Sequence, residues 1–257
     1  MGHFEVNNSS VLYSLNGHRY VGSTLLYYPF SWYNFVLKNI SILINSMNLI
    51  IRNERKSEYR AIEELTREAF WNVNFPGCVE HYCLHNMRGS SDFILELDFV
   101  AELDGKLVGN IVYTHGKLIN DAGKTYNIIS FGPISVLPSC QRQGVGSALI
   151  KYSVDKASAM GFTAVCIYGD PRYYHRFGFR CAEKYDITNS EGKFAAALMS
   201  LELIPGALRS VSARFIESDV YKVDESDFQK YDSTFPLKDK AVIESQAEFK
   251  IIASLVY

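Results

Sequence analysis

The sequence predicts an α/β fold, with a mixed, mostly antiparallel central sheet flanked by helices. Three observations carry this. Strand-like runs at 99–103, 106–115 and 124–137 are separated by Asp104-Gly105 and by Asn120-Asp121-Ala122-Gly123, both of them turn sequences. A helical run and then a short apolar run of buried-strand type, 163–168, come next, so helices and strands alternate along the chain. Of the 257 residues 47% are apolar, which is enough for a sizeable core.

The elements follow in order. Residues 1–46 carry only Glu5, Arg19 and Lys38 as charged residues. Their apolar stretch, 25–37, contains Pro29, Ser31 and Asn34, and Lys38 and Asn39 follow it, so no membrane span is expected. No basic segment leads into a compact apolar run and a small-residue cleavage site, so a signal peptide is not expected either. This part reads as a poorly ordered extension, or as sequence upstream of a natural start at Met47. Leu49-Ile50-Ile51 reads as a strand. Residues 57–70 place Ile62, Leu65, Ala69 and Phe70 at helical spacing. Pro76 opens a second helix towards Met87, with Gly89 beyond its end. After the three strands comes a helix from about 147 to 160, stopped by Gly161. Residues 171–177 form a short helix ended by Gly178. Phe179 begins a strand, and 194–203 is another. Residues 217–257, rich in Asp, Glu and Lys, read as a peripheral acidic extension with little core of its own. The expected division is therefore 1–46, 47–216 and 217–257.

The formal charge of −2 gives no bulk attraction to nucleic acid. The five cysteines are odd in number and irregularly spaced, which suits reduced thiols in a cytoplasmic protein.

The chemistry concentrates after the strand ending Ile134-Ser135-Val136-Leu137-Pro138. Gln141-Arg142-Gln143 leads into Gly144-Val145-Gly146-Ser147, which opens a helix. The first amides of a helix have no internal partner and lie at the positive end of its dipole. Glycines at 144 and 146 remove the Cβ atoms that would hold a pyrophosphate away from them. Arg142 adds a charge-assisted contact. A dinucleotide fingerprint needs a third glycine where Leu149 stands, although Asp170 falls near the place of a ribose-binding acid. A nucleoside-triphosphate loop needs Lys-Ser or Lys-Thr after the glycines, which this chain lacks.

Val136-Leu137-Pro138 followed by Gln141-Arg142-Gln143-Gly144-Val145-Gly146 resembles the signature of the GNAT N-acetyltransferase superfamily. The second half of that signature is matched by Gly169-Asp170-Pro171-Arg172-Tyr173-Tyr174-His175-Arg176-Phe177-Gly178-Phe179, in a form similar to one bacterial branch of predicted acetyltransferases. The resemblance covers about 48–203 and is strongest over 130–182. It implies the GNAT fold, with acetyl-CoA held where the strand ending at Val136 and the strand 163–168 run parallel and splay apart. Backbone groups of Ile134, Ser135 and Val136 would meet the pantetheine arm. Amides from Gln143 to Ser147 would hold the pyrophosphate, assisted by Gln141 and Arg142. The acetyl group would pass directly to a primary amine. Tyr174, four residues before Gly178, would protonate the departing thiolate as general acid. The partners implied are acetyl-CoA and a small-molecule or peptide amine, with a homodimer among the assemblies open to it. The alternative is a non-catalytic acyl-CoA sensor on the same fold.

The general base stays open among Glu96, Asp98, Glu102 and His115. Cys78, His81, Cys83 and His85 include zinc-type ligands, but 83 does not share a helical face with the others and no second ligand pair follows, so no metal is expected. Cys140 lies in the loop without a base beside it in sequence. Arg172, Arg176 and Arg180 offer either a solvated basic face or contacts to CoA phosphates.

Overall fold

The computed structural model describes residues 48–257 and, ahead of them, three strands: β1 (Phe4–Asn7), β2 (Ser10–Leu15) and β3 (His18–Gly22). These three pair antiparallel in chain order, within a unit Met1–Met47 that is distinct from Asn48–Tyr257. The expectations placed on the rest of 1–46, including the apolar stretch at 25–37, lie outside the described residues.

In the second unit nine strands form one sheet among the described residues. Its spine is the hairpin of β6 (Lys106–Ile119) and β7 (Thr125–Val136). The first half of β6 pairs with β5 (Phe99–Leu103), which pairs with β4 (Leu49–Asn53). At the β5–β6 turn Asp104 and Gly105 both take positive φ, 49° and 78°, as a tight two-residue hairpin requires. On its other side β7 meets β8 (Ala164–Tyr168), the parallel neighbour, and β8 continues to β11 (Leu198–Glu202) and the two-residue β9 (Arg180–Cys181). The strand expected from Phe179 is thus much shorter, because a 3-10 turn at Ala182–Tyr185 ends it.

Two helices cover one face. In α1 (Tyr59–Phe70), Ile62, Leu65 and Ala69 are buried, as their spacing demands. The second helix, α2 (Glu80–Met87), starts four residues later than Pro76 suggested. Gly77 has φ 90° and its amide donates to the Asn72 side chain at 2.8 Å, so 76–77 belongs to a turn. The other face carries α3 (Val145–Ala159), with Leu149, Ile150 and Ala157 buried. Ile111, Tyr113, Ile129 and Val165 form the core between that helix and the sheet.

Outside the expected elements, β12 (Ala213–Ile216) pairs with the far end of β6 and with β10 (Ile187–Thr188). Beyond it, α5 (Glu225–Asp232) and α6 (Ser245–Ser254) are docked on the domain. Asp232 accepts from Arg67 at 2.8 Å and from His81 Nε2 at 3.0 Å. Arg60 stacks 3.4 Å over the Phe235 ring. Phe228 and Phe235 are buried, so the tail supplies apolar anchors to a surface that other elements build. No helix of the described residues is long and apolar enough to cross a membrane.

Candidate functional site

Strands β7 and β8 share one parallel pair, Ile129 with Val165. Past it β8 follows β11, with Tyr168 opposite Leu198, while 130–136 stay with β6. The two parallel strands therefore part, and the β8-facing edge of 130–136 lines a cleft. Within this stretch β7 carries a bulge: Ile134 pairs with Ile111 and Phe131 with Tyr113, so two residues, Gly132 and Pro133, oppose Val112. Tyr221 donates to the Gly132 carbonyl at 3.2 Å and holds the bulge. Ser135 points away from α3; its hydroxyl donates to Thr66 on α1 at 2.9 Å. Ile134 and Val136 consequently face the opposite side, towards α3.

The glycine loop joins this cleft at its open end. Arg142 and Gly144 both have positive φ, 59° and 93°. Gly144 is the residue before α3, and it turns the chain so that the first amides of the helix point outward. Gln141 donates to the Val136 carbonyl at 3.1 Å and Gln143 to the Ser139 carbonyl at 2.8 Å, so both glutamines brace the loop. A Cβ on Gly146 would lie 3.2 Å from the Tyr173 hydroxyl and 3.5 Å from Val136 Cγ2. Strand end, glycine helix and tyrosine pair thus meet at one place.

The second motif has a physical reason at each position. Asp170 caps the short helix α4 (Pro171–Tyr174), accepting from the Arg172 amide at 2.8 Å, and Pro171 opens it. Gly178 takes φ 92°, which reverses the chain and buries Phe179. Gly169 is required because a Cβ there would overlap the Tyr174 ring. That ring packs between Phe131 and Phe179, with centroids 5.9 and 5.7 Å away. Burial pushes the Tyr174 phenol above its ordinary range, so it stays protonated at neutral pH.

Tyr174 lines a cavity of about 260 Å³ at the parting of the strands, with 130–134, Tyr168, Tyr221, Phe70, Cys83, Glu80 and Glu217. None of the four acids and bases named from the sequence lines it. Asp98 is sealed in the core, where Asn110 donates to it and Glu54 lies beside it; burial pushes both carboxyls upward. Arg88 donates to both Glu54 oxygens, at 2.7 and 2.8 Å. Glu102 is paired with Arg52 at 2.8 Å on the β4–β5 edge, while Glu96 and His115 are exposed. The acids at the cavity are instead Glu80 and Glu217. Glu80 accepts from Asn74 and from the Val79 amide, both at 2.9 Å. Among the described residues nothing donates to Glu217, and burial pushes its carboxyl up to about 7. Ala213 and Phe215 are buried, and Glu217 continues their alternation on the inward face, which the pairing of β12 makes visible.

Other candidates resolve differently. Arg172 is held by Asp170 and Glu248, and Arg180 by the Phe179 carbonyl; Arg176 stacks 4.0 Å over Tyr173. Cys140 has the Ser139 hydroxyl beside it at 3.7 Å. Cys78 and His81 do meet, Sγ to Nδ1 at 3.4 Å, while His81 Nε2 donates to Asp232. Burial raises that thiol and lowers the imidazole to about 4, so Cys78 and His81 stay uncharged and serve as structural links to Asp232. His85 pairs with Glu63, and no group of three or more His, Cys, Asp or Glu side chains is placed to hold a metal among the described residues.

A family model for the acetyltransferase (GNAT) domain matches residues 96–181. That stretch, a third of the chain, is what is similar to the GNAT domain. Among curated relatives, the uncharacterised N-acetyltransferase YhbS of Escherichia coli K12 is 27% identical over 140 residues, 54% of this chain and 78% of the relative. The uncharacterised N-acetyltransferase YjhQ of the same organism is 33% identical over 87 residues, 34% of this chain and 48% of YjhQ. Two crystal structures share the fold. The YhbS protein of E. coli in complex with CoA has a TM-score of 0.60 at 23% identity, covering 69% of this chain and 93% of its own. A GNAT family acetyltransferase of Brucella melitensis in complex with acetyl-CoA has a TM-score of 0.56 at 24% identity, covering 68% and 99%. The GNAT fold expected from the two motifs is the fold observed.

Proposed function

We propose that this protein, with its GNAT fold, is an acetyl-CoA-dependent N-acetyltransferase that transfers the acetyl group directly to a primary amine. The observation that carries the proposal is the meeting of three parts in one cleft: the parted edge of β7, the outward amides at the start of α3, and Tyr174. The ligands in the E. coli and B. melitensis structures support the same reading. The start of α3, with its unpartnered amides and a glycine at 146 that lets it close on Tyr173 and Val136, suits a pyrophosphate.

In this reading the amides of Gln143, Gly144, Val145, Gly146 and Ser147 bind the pyrophosphate, with Arg142 free at the surface to add charge. Backbone groups of Ile134, Ser135 and Val136 bind the pantetheine arm, and Gln141 keeps that strand end in place through the Val136 carbonyl. Bound acetyl-CoA supplies the activated acyl group. Tyr174 holds a proton in a water-poor setting and delivers it to the leaving sulfur. Glu217, unpaired and at the same cavity, accepts the proton the amine loses; it replaces the four sequence candidates for that role. Proximity and orientation do much of the rest.

Calorimetric titration of the purified full chain with acetyl-CoA, with NAD as control, tests the cofactor. Micromolar acetyl-CoA binding that Gly146→Val weakens at least about tenfold is the expected result, since the new side chain would push the start of α3 off Tyr173 and Val136. A folded protein that binds no acetyl-CoA refutes the proposal.

A further inference from the structure

The cavity at the parted strands adjoins a larger one of about 650 Å³, and Phe70, Tyr168 and Tyr174 line both. The larger cavity lies between α6 and the segment leading into β11. Its size is that of a pocket for one small molecule. We propose that it seats the body of the acceptor, and that the acceptor is a small primary amine with an apolar body, an alkylamine or aralkylamine. The inference rests on the N-acetyltransferase reading.

Three observations point there. Tyr168, Phe249 and Val256 line the cavity and remain 43%, 42% and 38% exposed, large apolar groups left facing solvent. An apolar ligand would remove them from water together. The two acids of the cavity are already engaged, although they outnumber their cation by one: Arg172 lies between Asp170 at 2.8 Å and Glu248 at 3.0 Å. A polyamine needs several unpaired acids along its length, and this wall does not supply them. The acid left without a partner is Glu217, in the inner cavity beside Tyr174, where the ammonium end belongs.

The wall is also built rather than loosely laid. Gln246, 3% exposed, donates to the Asn72 and Ala241 carbonyls, both at 2.9 Å. Ser245 donates to the Val73 carbonyl at 2.7 Å. Residues 255–257 run against 194–196 through three backbone hydrogen bonds of 2.9–3.0 Å. The shape is therefore present before a ligand arrives.

The test is a thiol-release assay on the full chain with acetyl-CoA and a series from ethylamine to octylamine, with phenethylamine, spermidine and a lysine-containing peptide alongside. The expected kcat/KM climbs about threefold per methylene until the cavity is filled, and spermidine falls below hexylamine. Phe249→Asp should flatten that climb, lowering the octylamine value far more than the ethylamine value. Turnover that is flat along the series, that favours spermidine, or that is confined to peptide amines overturns the inference and leaves N-acetyl transfer standing. So does acetyl-CoA binding without turnover of any amine in the series. Absence of acetyl-CoA binding would instead remove the reading beneath it.

Discussion

Glu217→Gln should make the protein more stable and less active at once. Burial raises this carboxyl from 4.5 to about 7. At 1.36 kcal/mol per pH unit the fold disfavours the ionised form by about 3 kcal/mol, and partial access of water brings that to about 2 kcal/mol. The sign follows from the direction. Below the unfolded value of 4.5 both states are protonated and the fold bears no penalty. As pH rises through 7 the folded carboxylate ionises and the penalty is complete. Gln carries no charge at either pH. Urea unfolding at pH 5 and pH 8 should therefore show the variant gaining about 2 kcal/mol on the wild type between the two conditions. Comparing two pH values cancels any constant effect of the new amide. In the same protein kcat at saturating amine should fall about a hundredfold and lose its rise near pH 7. A variant that keeps full kcat refutes Glu217 as the base. A variant with no relative gain at pH 8 refutes the desolvated carboxylate on which the argument stands.

Tyr174→Phe should lower kcat about a hundredfold and leave acetyl-CoA affinity by calorimetry nearly unchanged, because the ring packing survives and only the hydroxyl is lost. Gly169→Ala, at a residue without catalytic atoms of its own, should lower kcat and the unfolding midpoint together by displacing that ring. Asp232→Ala should cost about 3 kcal/mol in chemical denaturation, since it strips buried Arg67 and His81 of their shared carboxylate; the acetyl-CoA titration should stay close to wild type.

The parts of the fold legible in the sequence are those written in local code. Asp104-Gly105 named its hairpin because both residues had to accept positive φ, and Gly161 and Gly178 ended their helices for the same reason. The motif around Tyr174 was legible as a pattern, and the structure supplies its cause in the overlap a Cβ at Gly169 would create. What was not legible depends on partners far away in the chain. Asp98 stood among the candidate general bases, yet Arg88 and Glu54 enclose its surroundings. Glu217 stood at the head of a charged tail, and only the pairing of β12 with β6, about a hundred residues earlier, reveals which way it faces. The tail read as peripheral because Phe228 and Phe235 are sparse; the surface that buries them belongs to α1 and α2.

The larger cavity takes its α6 wall from residues 245–256, whereas the glycine loop and Tyr174 lie within 96–181. In the proposed reading one wall of the acceptor site is thus encoded outside the stretch that carries the glycine loop, while Tyr168, Asp170 and Tyr174 join the two. Replacement of the side chains that α6 turns to the cavity would then change the amine preferred without altering the glycine loop or Tyr174.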